Sequence, residues 1–190
     1  MTERLFTPAY VAGVFTSLPQ LTRYEVEGLG HMGVPIGALM GPPPVKAGYV
    51  LFGEHGFEFE QHCPLGAEAT RTLIFLILDR QGEAWDMVAW CCKTGQLASW
   101  LGRAWAIGED TIYDVRLSDH GALPVWRNPL RLLQANHQGI VIIRPRAAVH
   151  YLADAEPLLA EDAWHGAELQ QLLTRACPGI IIPAQQELAA

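Results

Sequence analysis

Four arginines, Arg127, Arg131, Arg144 and Arg146, fall between Asp119 and Asp154, a stretch that contains no acid at all. His120, His137 and His150 lie in the same stretch. The chain carries a formal net charge of −7, so this local positive excess runs against its background. Arginine's planar fork suits carboxylates and phosphates, which it contacts through paired hydrogen bonds. Asn128-Pro129 and Pro145 each read as a helix start, where arginine opposes the helix dipole unless an anion is bound. The expectation is an anion-binding window that contacts a phosphate, a nucleotide or a nucleic-acid backbone. The plain alternative is that these arginines pair with acids elsewhere, such as Glu109, Asp110 or Asp114.

Other constellations carry less. Glu54, Asp79, Asp86, Glu109 and Asp110 are the acids that a small, metal-assisted hydrolase would draw on. The three serines, Ser17, Ser99 and Ser118, lack the strand-turn-helix elbow of a nucleophile, and Ser118-Asp119-His120 reads as a turn. His55, His62 and Cys63 lie near Glu54, Glu58 and Glu60, but without the paired spacing of a zinc tetrad, so no metal is expected. Glu161, Asp162, His165 and Glu168 share one helix face and read as an exposed, ion-pairing surface. Gly28 to Gly33 spells G-x-G-x-x-G, yet Pro35 and Pro42-Pro43-Pro44 deny it a following helix. It is expected to be a packed glycine-rich loop with no dinucleotide, and no cofactor is expected elsewhere.

Residues 1–47 read as an irregular, Pro/Gly-rich arm packed on a single domain over 48–190. One helical turn is expected around Gln20 to Glu27. Tyr49 to Gly53 and the alternating Phe57 to Cys63 predict an antiparallel hairpin. Leu73 to Leu78 is apolar on both faces, which predicts a central strand paired with Ala84 to Cys91 across the turn at Asp79 to Gly82. Leu97, Trp100, Leu101, Ala104 and Trp105 recur at helical spacing. A strand over Thr111 to Leu117 follows, then helices opened by Pro129, Pro145 and Pro157, a buried strand over Gly139 to Arg144, and an edge strand over Gly179 to Pro183. Strands first and helices interleaved later give an α+β fold, with α/β as the alternative for the stretch after 129.

The 190 residues are 50% apolar and 17% charged, which excludes a disordered chain and gives material for a generous core. Cys63, Cys91, Cys92 and Cys177 show no framework spacing and read as reduced thiols. The N-terminal apolar stretch is broken by Pro8, Gly13 and Pro19, and no run is long enough to span a bilayer, so a cytoplasmic protein without a membrane partner is expected. Trp85 and Trp90 have opposite parity on one strand, while Trp100 and Trp105 follow; most are expected in the core. Function is expected to be that of a binding or accessory protein with an anionic ligand or a protein partner. The rivals are the hydrolase and an oligomeric structural component that exchanges its N-terminal arm.

Overall fold

The computed structural model describes residues 6–62, 68–113, 121–152, 155 and 157–174. The segment expected to be irregular instead begins with three helices, α1 (Pro8–Ser17), α2 (Arg23–His31) and α3 (Ile36–Met40). Local chemistry explains the first two. Thr7 caps α1 with Pro8 in its first turn, and Thr22 with Glu25 forms a reciprocal capping box on α2. Prolines that read as breakers thus stand at helix starts or between helices. The arm is covered by its own chain: Val11 and Phe15 of α1 and Ala38 and Leu39 of α3 are buried.

A five-stranded antiparallel sheet follows, built from β1 (Lys46–Phe52), β2 (Phe57–Phe59), β3 (Thr70–Leu78), β4 (Ala84–Trp90) and β5 (Leu97–Ser99) in the order β2-β1-β3-β4-β5. β3 is central and pairs antiparallel with β4, Leu73 opposite Trp90 and Phe75 opposite Val88. Its alternate residues feed two separate cores. Leu73, Phe75 and Ile77 pack with α2, α3 and the later helices, while Ile74 and Leu76 pack with Val11 and Phe15 of α1. Covering on both faces is the physical reason for the continuous apolar run. α2 is also tied to β3 by Arg71, whose guanidinium donates to Glu25 at 2.6 and 2.9 Å.

The helix expected from Leu97 is a strand. Turn hydrogen bonds from Gly95 N–H to the Cys91 carbonyl and from Cys91 N–H to the Gln96 carbonyl fold β5 back on β4. Pairing of Val88 with Ser99 then decides the conformation, against a spacing that suited a helix. Residues 109–113 form a short 3-10 helix where a strand was expected, and 114–117 lie outside the described residues.

A second sheet contains β6 (Ala106–Ile107), β7 (Leu123–Trp126), β8 (Ile140–Ile142) and β9 (Leu158–Leu159) in the order β6-β8-β7-β9. Between its strands run α4 (Pro129–Gln134) and α5 (Pro145–Tyr151), with α6 (Ala163–Leu173) last. β7 is parallel to both β8 and β9, whereas β6 is antiparallel to β8. The chain as a whole is α+β, and its second half contains a parallel strand–helix–strand path. Asn128 caps α4 through the Arg131 N–H at 3.1 Å, with Pro129 in the first turn. Pro157 leads into β9 and does not open a helix; the cap of α6 is Asp162, which accepts from His165 N–H at 2.7 Å. Residues 179–183 are outside the described region. Among the described residues no helix is long and apolar enough to cross a membrane.

Candidate functional site

Where the first sheet meets the second, a cleft of about 260 Å³ opens between the Pro42–Pro44 loop, Phe75 and Leu78 of β3, and two later loops that contribute Asp110 and His137. The two loops approach each other backbone to backbone. Gly108 has a φ of +79°, and a Cβ there would meet the Gly139 carbonyl at 2.5 Å, so glycine is required for the approach. Thr111 fastens the same corner by donating its hydroxyl to the Gly108 carbonyl at 2.7 Å.

His137 is held in an uncommon way. α4 ends in paired bonds from Asn136 N–H to Leu133 and from His137 N–H to Leu132, a motif that places Asn136 in the left-handed region. His137 follows it there with a φ of 64°, which costs conformational energy in a residue with a side chain. Its ring compensates: Nε2–H donates to the Ala38 carbonyl at 2.6 Å. A carbonyl only accepts, so this bond assigns the proton to Nε2 and leaves Nδ1 as the uncommitted nitrogen. Gln134 reinforces the contact by donating to the Met32 carbonyl at 2.6 Å.

Asp110 stands at the exposed mouth of the cleft. The surrounding walls displace enough water to push its carboxyl above the ordinary aspartate value, against the opposing pull of the Asp110 and Thr111 backbone N–H groups. Glu109 points the other way, into the protein, where its carboxylate accepts from Trp105 N–H at 3.2 Å. Burial raises it to about 7, and Asp86 and Asp110 add repulsion. Asp86 is fully buried and accepts four backbone N–H groups, from Met87, Leu101, Arg103 and Ala104, at 2.7 to 2.9 Å. It thereby moulds the segment leading into Trp105 and Glu109. Of the five acids proposed for a hydrolase, Asp86, Glu109 and Asp110 are neighbours. Asp79 caps its own turn by accepting from Gln81 and Glu83, and Glu54 belongs to the β1–β2 turn.

The four arginines are all exposed. Arg127 donates to Asp162 at 2.7 Å and lies 3.3 Å from Glu168 and 3.6 Å from Glu161. Arg131 donates to the Gln134 side chain at 3.2 Å, and Arg144 donates to the Gly102 carbonyl. Arg146 lies in the first turn of α5 and meets no carboxylate among the described residues. α4 and α5 span six and seven residues, too short to present a developed helix dipole to an anion. Glu161, Asp162 and Glu168 are therefore Arg127's partners, in place of Glu109 or Asp110, while Asp114 lies outside the described residues; Asp162's carboxyl is held well below its usual range by that guanidinium.

The remaining motifs find structural places. Gly28 and Gly30 lie inside α2 and Gly33 closes its end, so the glycine string is a helix terminus and not a loop. His165 Nδ1 accepts from Glu161 N–H at 3.1 Å, and Glu168 accepts from the Trp164 indole at 2.7 Å. Trp90 and Trp105 are buried, whereas Trp85 is partly exposed beneath the Arg103 guanidinium. Cys91 is buried and Cys92 exposed. Among the described residues no three His, Cys, Asp or Glu side chains gather to hold a metal ion. Cys63, Ser118-Asp119-His120 and Cys177 lie outside the described residues. His137 was visible in the sequence only as one of three histidines in the arginine stretch; Ala38, its partner 99 residues away, carried no signal. Comparison with protein-family models, with curated proteins and with solved structures gives no match.

Proposed function

We propose that this is a binding protein whose ligand is a small hydrogen-bond-donating molecule, an alcohol, amine or amide, taken up in the Asp110–His137 cleft. The observation that supports it is the Nε2–H bond from His137 to Ala38, which in the neutral ring leaves Nδ1 to accept, in a cleft that Asp110 also lines. Two acceptors among the lining residues of one cleft favour a ligand that brings donors, and Asp110 disfavours an anion there. The test is a titration of nitrogen-15-labelled protein with ethanolamine, glycerol and acetamide, reading the His137 ring nitrogens. Movement of Nδ1 with one of these probes, lost in Asp110→Asn, is the expected result. An Nδ1-protonated neutral ring, or no response to any probe, would remove the basis of the reading.

A second reading is hydrolysis, favoured by one further observation: the raised Asp110 carboxyl shares the cleft with His137, a pairing able to exchange a proton with water. Release of nitrophenol from p-nitrophenyl acetate, abolished by His137→Gln, tests it. The anionic partner remains a separate proposal for the arginine face, and is supported by Arg131, Arg144 and Arg146, none of which meets a carboxylate among the described residues.

A further inference from the structure

On the other side of the five-stranded sheet a second cavity, of about 710 Å³, lies between the β1–β2 turn and the segment after β5. Aromatic side chains form part of its walls. Phe6, Phe52 and Trp100, all partly exposed, line it, with Phe6 packed edge-on to Trp100 at 5.5 Å between ring centres. Phe59 braces Trp100 from behind at 5.4 Å. The rim carries Glu54 and Glu58 with His55, and no lysine or arginine is among the described lining residues. Both glutamates are exposed, and neither forms an ion pair among the described residues.

The cavity has a fixed frame. Gly53 N–H donates to the Gly56 carbonyl at 2.8 Å, which closes the turn that carries Glu54 and His55. A Cβ on Gly56 would meet the Ser99 carbonyl at 2.6 Å, so this turn is pressed directly onto β5. Phe6 is held by Arg103, whose guanidinium donates to its carbonyl at 3.1 Å.

We propose that this cavity binds a small organic cation, specifically an alkylated ammonium group. Aromatic faces carry the negative part of the ring quadrupole and attract a cation that approaches them. An alkylated ammonium is bulky and weakly hydrated, so it loses little on leaving water for an aromatic wall. Glu54 and Glu58 add the opposite charge at the rim and disfavour an anion of the same shape. This site is independent of the Asp110–His137 cleft, and its ligand class follows from a different set of side chains.

The experiment titrates choline chloride into nitrogen-15-labelled protein, with 3,3-dimethyl-1-butanol as the uncharged counterpart of the same shape. Choline should move the Gly53 and Gly56 amides and the Trp100 indole. The uncharged alcohol should bind about tenfold more weakly or less, and Glu54→Gln with Glu58→Gln should weaken choline by about tenfold. Phe52→Leu, at a half-buried ring, should weaken it as well; Trp100 is avoided because it supports the core. Equal binding of the two probes, undiminished binding by the double glutamine variant, or choline shifts confined to other residues would each overturn the proposal.

Discussion

The face around Arg127 and the cleft around Asp110 both concentrate ionisable groups, but they dispose of charge in opposite ways. Arg127 is exposed and meets the carboxylates of Glu161, Asp162 and Glu168, so its charge is balanced within the fold. Asp110 and Glu109 meet no guanidinium or ammonium among the described residues, and desolvation pushes both carboxyls up. A balanced exposed cluster adds little to stability and offers little to a ligand. An unbalanced, partly dehydrated one costs stability and retains free energy for a partner. Counting charges along the chain favours the first region; asking what each charge touches favours the second.

Asp86 gives the largest way to break this contrast, because it moulds the segment that places Glu109 and Asp110. Asp86→Ala leaves four amides without their acceptor, those of Met87 and Ala104 buried and those of Leu101 and Arg103 partly buried. At 1–3 kcal/mol for an orphaned buried group, the loss should be roughly 4 kcal/mol or more. Urea unfolding measures it. A loss below about 1 kcal/mol would mean that water replaces the carboxylate, and that the cleft needs no such support.

Glu109→Gln comes next, and its sign separates the two regions. A carboxyl whose folded-state value lies above its ordinary 4.5, here at about 7, costs stability as the pH climbs between those values. The cost is absent below the lower value and complete above the upper one, where it reaches roughly 3 kcal/mol. Glutamine keeps an acceptor for Trp105 N–H but carries no charge. The variant should therefore be more stable than the native chain above pH 7 and lose that advantage towards pH 4.5. Parallel stability profiles across that range would show that Glu109 is solvated and that the cleft is not underlain by an unbalanced acid.

The contrast also marks what the sequence can disclose. The β1–β2 and β3–β4 hairpins were legible because their turns and alternation are local, and Asn128-Pro129 announced α4 within two residues. The helical turn expected around Gln20 to Glu27 is the start of α2, announced by Thr22 with Glu25, whereas α1, signalled by Thr7-Pro8, was hidden by the weight of nearby prolines. β5 was not: its Leu97–Trp105 spacing suits a helix, and only pairing with β4 overrides it. The same holds for the site. Glu109 and Asp110 could be named as candidate acids, yet their relation to His137 depends on contact between loops 28 residues apart, where Thr111 meets Gly139. Arg127's acids lie 34 to 41 residues downstream, beyond any local pattern.

A smaller effect is expected at Arg127. Arg127→Gln removes the common partner of Asp162, Glu161 and Glu168 but leaves the Asp162 cap of α6 in place. The start of α6 should exchange its amides faster while the rest of the protein keeps its protection. Because Asp162 is held below its ordinary value, the native ion pair stabilises at neutral pH and fades as acid protonates the carboxylate. The difference between native and variant should therefore close in acid. Global unfolding of the variant would show that this exposed cluster carries more of the fold than its geometry implies.

The smallest effect concerns what is left of the arginine face for an anion. With Arg127 neutralised, Arg131, Arg144 and Arg146 remain, and Arg144 is anchored to the Gly102 carbonyl. A few exposed guanidinium groups on a chain of net charge −7 release few counterions, so polyphosphate binding should be weak and fall only gently with salt. Arg144→Glu with Arg146→Glu should reduce that binding by about threefold at low salt and leave the His137 response to small donors unchanged. Fluorescence anisotropy with labelled polyphosphate and a single-stranded oligonucleotide at two salt concentrations gives the measurement. Tight binding with a steep salt slope, lost in the double variant, would reverse the contrast: the guanidinium groups would then act together on one anion, and the arginine face would be the principal site.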